Sequence, residues 1–306
     1  MKIKLTLLVV LFAVAQYSLM AQGCSDAGFC TAGSLHSSAG EDEFKNSVQV
    51  YGIYGIADGS TSIFTPQVDV NIGIQKMGRV QLRLPYVFTS GNLGNTSGLG
   101  DFQVNYSHNI ISKDSFALKG IIGARLASNK ANIIQNGRSL PMPYQTSLGT
   151  NDLLLGVALS YKMWNFTFGY QQPISQMNEN GFVPNPLINE GDTDYYLSRH
   201  LRRKADVMFR VERRFDFNKF QLALGLLPIY HLGNDEATLN TFPQQTTVEV
   251  KNSAGLTLNF VVNGQYKINE KFTAHLLVGV PGVVRESRPD GLTRAFVLSP
   301  SIQWFF

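Results

Sequence analysis

Apolar and polar residues alternate along most of this chain from residue 46 onward. Every second residue from Val68 to Ile74 is Val or Ile, and the residues between them are Asp, Asn or Gly. The same period of two recurs in the segments 80–88, 102–110, 164–171 and 256–265. Side chains alternate between the two faces of a β-strand, and helical spacing fits none of these segments. The pattern therefore predicts strands with one apolar and one polar face.

The strands and their connections together predict a barrel. Twelve strands are predicted, at 46–57, 63–75, 80–89, 100–111, 116–126, 151–161, 164–171, 205–215, 219–230, 253–268, 271–283 and 293–306. Short polar turns, such as 76–79 and 112–115, alternate with longer connections at 89–99, 127–149, 172–204, 231–252 and 284–292. Tight periplasmic turns and long external loops are typical of an up-and-down barrel in an outer membrane, whereas a soluble barrel or sandwich would bury its apolar face.

The predicted fold is therefore all-β, a transmembrane antiparallel up-and-down β-barrel of about 12 strands over residues 46–306. An even number of strands puts both termini at the periplasmic side. Residues 246–251 are either part of a loop or a further strand, so fourteen strands is the alternative count.

The last predicted strand ends on Trp304, Phe305 and Phe306. A terminal aromatic residue with a second aromatic ring just inside resembles the closing strand of bacterial outer-membrane β-barrels. The resemblance implies that the barrel assembly machinery reads this strand. As the final strand of a barrel, it must also pair with the first. Pro300 within it has no N–H to donate, so we expect a weak or bulged point in the closing seam.

Residues 1–21 have the features of a signal peptide. Lys2 and Lys4 precede an apolar run from residue 5 to residue 15, and Ala21 is a small residue at the expected cut. A lipoprotein acylated at Cys24 is the alternative. Residues 22–45 are small and polar without a strong period, and they are predicted to be either a disordered periplasmic segment or a plug. Cys24 and Cys30 are predicted to form a disulfide rather than free thiols or a metal site, because four zinc ligands cannot be assembled locally.

The composition agrees with an exported β protein. The 28 Gly, 20 Phe, 12 Tyr and 2 Trp favour β structure. Aromatic residues near strand ends, Tyr51 and Trp164 among them, are expected to anchor the barrel at the membrane interfaces. No segment after the signal peptide has the roughly 18 consecutive apolar residues of a membrane-spanning helix. The net charge of +4 is too small to indicate nucleic acid as a partner.

These features predict a monomer in the outer membrane of a Gram-negative cell. The expected partners are membrane lipid, a small-molecule solute and the barrel assembly machinery, and no cofactor is expected.

The polar faces of the predicted strands would line a lumen. A lipid-facing Arg near the midplane costs about 2–4 kcal/mol, so charged side chains within strands are predicted to face inward. They either form a solvated, salt-bridged wall or select a solute. The candidate lumen-lining residues are Asp69, Asn71, Arg83, Gln103, Asn105, Lys119, Arg125, Arg210, Glu212 and Arg214.

Two stretches between residues 80 and 160 go beyond a generic barrel. Leu84-Pro85-Tyr86 leads to Ser97-Gly-Leu-Gly-Asp101, and Leu140-Pro141 leads to Asn151-Asp152. These motifs resemble those of the FadL-type outer-membrane transporters of hydrophobic compounds and the related phenol-degradation-pathway barrels. The resemblance implies transport of small hydrophobic solutes. It extends neither to the hatch of that family nor to its strand number, so lateral release through the wall is not expected.

The enzyme alternative is an outer-membrane lipid hydrolase, which needs a Ser and a His on one face. Ser107 and His108 are adjacent in a strand and therefore point to opposite faces. His275 has no Ser two residues away. The sequence therefore predicts a channel or transporter for small hydrophobic solutes by passive diffusion, with no catalytic, cofactor-binding or metal-binding residues. A structural or adhesive barrel that acts through its external loops is the other alternative.

Overall fold

The computed structural model describes residues 45–74, 78–113, 115–241 and 244–306. The predicted signal peptide, residues 22–44 and the predicted Cys24–Cys30 disulfide lie outside the described residues. Among the described residues, no helix is long and apolar enough to cross a membrane.

Seventeen strands occur in the described residues. They are β1 Ser47–Ala57, β2 Thr61–Ile74, β3 Gly78–Gly91, β4 Gly94–Leu99, β5 Phe102–Lys113, β6 Phe116–Leu126, β7 Ile134–Gln135, β8 Arg138–Ser139, β9 Thr150–Tyr161, β10 Trp164–Gln176, β11 Asp206–Phe217, β12 Phe220–His231, β13 Glu236–Thr241, β14 Gln244–Glu249, β15 Gly255–Lys267, β16 Phe272–Val283 and β17 Val297–Phe305. Short 3-10 turns occur at Asp58–Ser60, Met142–Tyr144 and Glu190–Asp194.

Twelve of these strands form a closed antiparallel barrel, as predicted, and β4 is one extra strand of the same sheet. The closing pair is β1 with β17, in a register that sets Ser47 opposite Phe305 and Gly55 opposite Val297. Residues 246–251 fall largely in β14, which pairs only with β13 in a separate hairpin within a connection. The alternative count of fourteen barrel strands is therefore wrong.

The predicted strand at 100–111 corresponds to β5, and the predicted connection 89–99 contains a further strand, β4. β4 pairs with the outer part of β3 and β5 with its inner part, with Gly100 and Asp101 between them. The Asp101 carboxylate accepts hydrogen bonds from the Ser128 and Leu148 backbone N–H groups, at 3.1 and 3.0 Å. The ladder is interrupted here because Asp101 holds the neighbouring connection instead.

Burial alternates along the strands in the opposite sense to a soluble barrel. Thr167 of β10 is 2% exposed, whereas Phe168, the next residue, is 49% exposed. Large apolar side chains face outward all round the sheet, among them Phe64, Leu84, Ile122, Phe209, Phe260 and Ile302. A continuous outward apolar surface over polar inner positions is the arrangement that lipid requires.

The two ends of the barrel differ, as the connections predict. We call the end that holds the start of β1 and the end of β17 the turn end, because the other strands are joined there by short turns. The opposite end, the loop end, carries the long connections 127–149, 177–205, 232–254 and 284–296. The link between β1 and β2, at Asp58–Ser60, is the short one at this end.

Pro300 marks an interruption in the closing seam, as expected. Pairing between β1 and β17 is continuous from Ser47 to Tyr51 and resumes only at Tyr54. The skipped positions of β1, Gly52 and Ile53, face the part of β17 that contains Pro300. Pro300 has no N–H to donate, so this part of the ladder lacks its hydrogen bond.

Candidate functional site

The barrel interior is the candidate functional site, because strand alternation directs the polar side chains into it. All ten candidate lumen-lining residues lie at inward positions of their strands. Nine are buried, and the Arg214 side chain is 15% exposed. Their predicted part in a solute path stays a prediction. The structure does show which of them form one network and which lie apart.

Asp69 on β2 and Arg83 on β3 form the central ion pair of the interior. The two residues are cross-strand partners. Arg83 Nε and Nη2 donate to the two carboxylate oxygens of Asp69, at 3.1 and 2.9 Å. Gln67 and Gln81 donate to the same oxygens, at 2.9 and 3.1 Å. Because Asp69 is fully buried, this fork of donors replaces the water that it loses.

Side-chain amides extend this ion pair into a polar wall on β17, β1, β2, β3 and β5. Asn105 donates to Gln81 at 3.2 Å, and Gln103 donates to Asn105 at 3.1 Å. On the other side, Gln49 donates to the Ser301 hydroxyl at 2.8 Å across the closing seam. The polar wall therefore holds its own hydrogen-bonding groups in fixed orientations.

Tyr51 is part of this polar wall and does not act as an anchor at the membrane interface. Its ring faces inward, and its hydroxyl interacts with the Asp69 carboxylate. The expectation that Tyr51 lies at the membrane interface is wrong, because its odd position in β1 places it on the inner face with Ser47 and Gln49. Trp164, by contrast, is 40% exposed on the outer face, and the Arg213 guanidinium lies 5.6 Å from its ring.

The opposite side of the interior carries a cluster of apolar side chains, which the sequence did not predict, alongside buried polar residues such as Thr167 and Asn259. An apolar wall of buried, mutually packed side chains lies on β6, β9, β11, β12 and β15. It consists of Ile121, Leu154, Ala158, Met208, Leu227, Ile229 and Val261, with Leu277 of β16 packed against it. In the strand order, β11 and β12 lie across the barrel from β2 and β3. The interior thus has two unlike walls that face each other.

Arg210 and Glu212 of β11 lie among the residues of the apolar wall. Arg210 Nη2 lies 2.5 Å from Glu212 Oε1, and both side chains are nearly fully buried. Residues two positions apart in a strand lie on the same face, so this contact is made between side chains of β11.

Six charged groups form a closed ring at the loop end. Going round the ring, Arg203 contacts Asp206, Asp206 contacts His231, His231 contacts Asp235, Asp235 contacts Arg285, Arg285 contacts Asp290, and Asp290 contacts Arg203. The distances in that order are 3.1, 2.6, 2.8, 4.0, 2.5 and 3.5 Å. We call this set the loop-end charge ring. It ties three connections to the ends of β11 and β12.

Arg125, a candidate lumen residue, joins the loop-end charge ring through Asp152. Arg125 is paired with Asp152, which also accepts a hydrogen bond from Gln171. Arg203 Nη1 lies 3.7 Å from the same carboxylate. The side chain of Arg203 is therefore surrounded by three carboxylates, those of Asp152, Asp206 and Asp290.

His231 completes the charge balance of the ring. Nδ1 faces Asp206 at 2.6 Å, and Nε2 faces Asp235 at 2.8 Å. A carboxylate only accepts hydrogen bonds, so both contacts are hydrogen bonds when the imidazole carries both protons. In that form the ring contains three positive and three negative groups, in alternation.

The pH dependence of the loop end follows from Asp290, in the connection 284–296. Burial alone raises the pKa of this carboxyl, but the Arg285 and Arg203 guanidiniums outweigh burial and hold the pKa well below its usual range. Because the pKa of this carboxyl is lower in the folded protein than in the unfolded chain, its ionised form stabilises the fold at pH values above the unfolded-state pKa of about 3.9. This stabilisation is lost as the pH falls towards the folded-state pKa.

We expect protease protection of the connection 284–296 to be constant between about pH 7 and pH 5 and to decline only below about pH 4. Asp290→Asn should remove this acid-dependent part and so isolate it from Asp58 and Asp101, whose pKa values burial raises. Limited proteolysis across this pH range measures the effect. A loss of protection centred above pH 5 in the unsubstituted protein would contradict the assignment.

Tyr144 and Tyr195 link three other connections of the loop end by hydrogen bonds. The Tyr195 hydroxyl lies 2.9 Å from Thr61 Oγ1 and 3.1 Å from the Tyr144 hydroxyl, and it donates to Asn92 at 2.6 Å. A Cβ on Gly59, which has φ +60°, would lie 2.4 Å from the Tyr195 hydroxyl. The turn between β1 and β2 thus needs Gly both for its backbone and for the tyrosine above it.

The candidate Ser–His pairs are not assembled as nucleophile and base. Ser107 is buried inside, and His108 lies on the outer face against Tyr106, whose hydroxyl is 3.2 Å from Nδ1. The register sets Ser301 of β17 directly opposite His275, a juxtaposition that the sequence analysis missed. However, His275 Nε2 contacts Gln303 Oε1 at 3.1 Å, and the Ser301 hydroxyl accepts from Gln49.

The sequence matches no protein-family model and no curated protein. Among solved structures, the chain is similar to the COG4313 outer membrane channel from Pseudomonas putida F1, with 15% identity over 86% of this chain and 96% of that chain and a TM-score of 0.60.

It is also similar to the NanC porin, with 14% identity, coverage of 85% and 98% and a TM-score of 0.47. For a Pseudomonas aeruginosa FadL homologue, the identity is 11%, the coverage 86% and 89%, and the TM-score 0.40. The two lower scores carry no further argument. The likeness to the COG4313 channel concerns the fold, and the chain has the fold of an outer-membrane β-barrel.

Proposed function

We propose that this protein is an outer-membrane channel through which small solutes with an apolar part cross by passive diffusion. The observation that carries the proposal is the apolar wall. Leu154, Met208 and Leu227 face the barrel interior, where a path for polar solutes alone would present polar groups to water. An apolar surface there gains free energy when an apolar solute covers it.

The polar wall adds the second requirement. A solute between the two walls meets the fixed amides and the Asp69–Arg83 pair on one side and aliphatic side chains on the other. An amphipathic molecule satisfies both sides at once, since its polar groups are not buried without a partner. The outer-membrane location and the signal peptide at residues 1–21 are parts of the same proposal.

The test is a flux measurement with the protein in liposomes. A membrane-impermeant naphthalene sulfonate and a sugar of similar size are compared, and we expect the protein to favour the naphthalene compound. Leu227→Gln should lower this preference about tenfold, because the loss of contact with one buried Leu corresponds to about 1.5–3 kcal/mol. Leu226→Ala, at the neighbouring outward position, is the matched control and should leave the preference unchanged.

The outcomes separate the hypotheses. Flux no greater than that of empty liposomes would reject the channel. Flux with equal preference in both variants would reject the apolar wall as its determinant. If flux is absent and deletions in the connections 127–149 or 177–205 abolish attachment of cells to a surface, the hypothesis of a structural or adhesive barrel replaces that of a channel.

A further inference from the structure

A row of cationic and aromatic side chains crosses the lipid-facing surface of the barrel at the turn end. The strand register joins its members in succession: Lys113 of β5, Phe116 of β6, Tyr161 of β9, Trp164 of β10 and Arg213 of β11. Their side chains are exposed or half-buried. We call these residues, together with Lys162 in the turn between β9 and β10, the cation–aromatic row.

Two cations of the row are held against the faces of aromatic rings. The Lys162 ammonium lies 5.2 Å from the centroid of the Tyr161 ring. The Arg213 guanidinium lies 5.6 Å from the Trp164 ring and 5.2 Å from the Phe215 ring. A ring face attracts a cation but does not neutralise it, because the ring carries no net charge. Both cations are therefore oriented by the rings and keep their charge.

Arg213 differs from the other charged residues of β11 in the face that it occupies. The charged residues at even positions of this strand point into the barrel, whereas Arg213 is exposed on the outer surface. Within the described part of the chain, Arg213 contacts the two rings and pairs with no carboxylate, and Asp216 pairs with Arg214 instead. A lipid-facing Arg is tolerated near the end of a strand, where headgroups replace hydrocarbon. Its position therefore favours an anionic partner from the membrane.

The outward side chains one row nearer the loop end are apolar. They are Val211, Phe166, Leu159 and Leu118, which pair in succession across β11, β10, β9 and β6. The Trp164 and Phe166 rings are stacked with their centroids 6.3 Å apart, so aromatic surface continues from one row to the next. The outer surface thus changes from cations to hydrocarbon towards the middle of the membrane. A phospholipid changes from phosphate to acyl chain in the same direction.

The spacing of the two ring-bound cations matches a single phosphate group. Neighbouring strands lie about 4.8 Å apart, so Tyr161 on β9 and Arg213 on β11 are about 10 Å apart along the row, with Trp164 between them. Lys162 and Arg213 can therefore reach a phosphate over Trp164 from opposite sides. A guanidinium binds phosphate oxygens through two parallel N–H donors, and an ammonium adds a compact positive charge.

We propose that the cation–aromatic row binds the phosphate of an anionic phospholipid in the leaflet at the turn end. Arg213 and Lys162 contact the phosphate oxygens, and the acyl chains lie along Phe166 and Leu159. A lipid with a net negative charge is favoured, because a zwitterionic headgroup would bring an ammonium group to a site that already holds two cations. The site lies on the outer surface, apart from the interior that is proposed for solutes.

Quenching of Trp fluorescence by brominated lipid tests this site, because the chain contains two Trp residues. Trp304→Phe leaves Trp164 as the single reporter. Trp164→Phe leaves Trp304, a control at the same end, whose cross-strand partner Phe272 follows Lys271. Each variant is placed in phosphatidylcholine vesicles that contain a small fraction of dibrominated phosphatidylglycerol or dibrominated phosphatidylcholine. We expect phosphatidylglycerol to quench Trp164 at a severalfold lower lipid fraction, and Trp304 to show no such preference.

Substitutions of Arg213 in the Trp304→Phe background test the role of its charge. Arg213→Gln should remove most of the preference for phosphatidylglycerol. Arg213→Lys should keep part of it, because the charge remains and the planar fork of donors is lost. Lys271→Gln, at an exposed lysine in another turn of the same end, is the matched control and should leave the preference unchanged. Because Arg213 is exposed, these variants keep the buried contacts of the barrel.

Three outcomes would overturn the proposal. An equal preference at Trp164 and Trp304 would show a general attraction of anionic lipid to the turn end. A preference at Trp164 that survives Arg213→Gln would exclude the guanidinium as its cause. Inorganic phosphate that abolishes the preference, when chloride at the same ionic strength does not, would make a soluble anion the ligand. None of these measurements depends on transport through the barrel.

Discussion

Replacing Arg203 with Met is expected to release the connections at the loop end and to lower the free energy of unfolding by about 3–5 kcal/mol. The Arg203 guanidinium contacts the carboxylates of Asp152, Asp206 and Asp290, at 3.7, 3.1 and 3.5 Å. Without it, three buried carboxylates face one another with fewer counter-charges. Hydrogen exchange of the backbone amides in 177–205 and 284–296 measures the release, and thermal unfolding measures the loss of stability.

Arg202→Met is the matched control for this substitution. Arg202 is the adjacent residue and has an exposed side chain, and its backbone forms the bridge to Glu236. We expect it to change exchange rates little. Arg203→Lys keeps one positive charge but loses the planar fork of donors, so its effect should lie between the two. Unchanged exchange in Arg203→Met would show that the loop-end charge ring does not hold the connections.

Replacing Arg83 with Met is expected to destabilise the barrel itself, also by about 3–5 kcal/mol. Asp69 is fully buried and receives two hydrogen bonds from Arg83. The amide donors, the Tyr51 hydroxyl and the electrostatic influence of Arg79 remain in the variant. An ionised carboxylate in that position has lost its hydrogen-bonded counter-charge. Urea unfolding of the detergent-solubilised protein, followed by intrinsic Trp fluorescence, measures the change.

The double variant Arg83→Met, Asp69→Asn separates charge from packing. Removing both charges leaves neither member of the pair as a buried ion without its partner, so the double variant should be more stable than Arg83→Met alone although it carries one more substitution. If the double variant is the less stable of the two, the ion pair is not what stabilises this part of the barrel. Asn109→Ala, at a buried neutral position of β5 four residues beyond Asn105, controls for the loss of an interior side chain.

The strand pattern was predictable because it is local. A period of two, as in Val68–Ile74, assigns each residue of a strand to one of two faces without knowledge of its neighbours. For the same reason the inward positions of Asp69, Arg83 and Arg210 followed from the sequence. The extra strand β4 and the break that separates it from β5 at Gly100–Asp101 did not, because the Asp101 carboxylate accepts hydrogen bonds from backbone groups of another connection.

The apolar wall could have been noticed but not located. Leu227 lies in a strand that is apolar on both faces, and Val261 is a single apolar residue on an otherwise polar face, so neither indicates a second apolar surface on its own. Only the register brings them together with Met208 and Leu154. The same holds for Ser301 and His275, which are cross-strand neighbours on β17 and β16. A search for Ser–His pairs within a single strand does not find them.

The sequence by itself determined that this chain forms twelve two-faced barrel strands, with short turns at one end and long connections at the other. That information lies in residues close to each other along the chain. Only the tertiary structure decided that the interior has one polar and one apolar wall and that Arg203, Asp206, His231, Asp235, Arg285 and Asp290 close into a ring. Those partners are joined by barrel closure, strand register and connections that fold back over the loop end, and none of these is encoded in a local period.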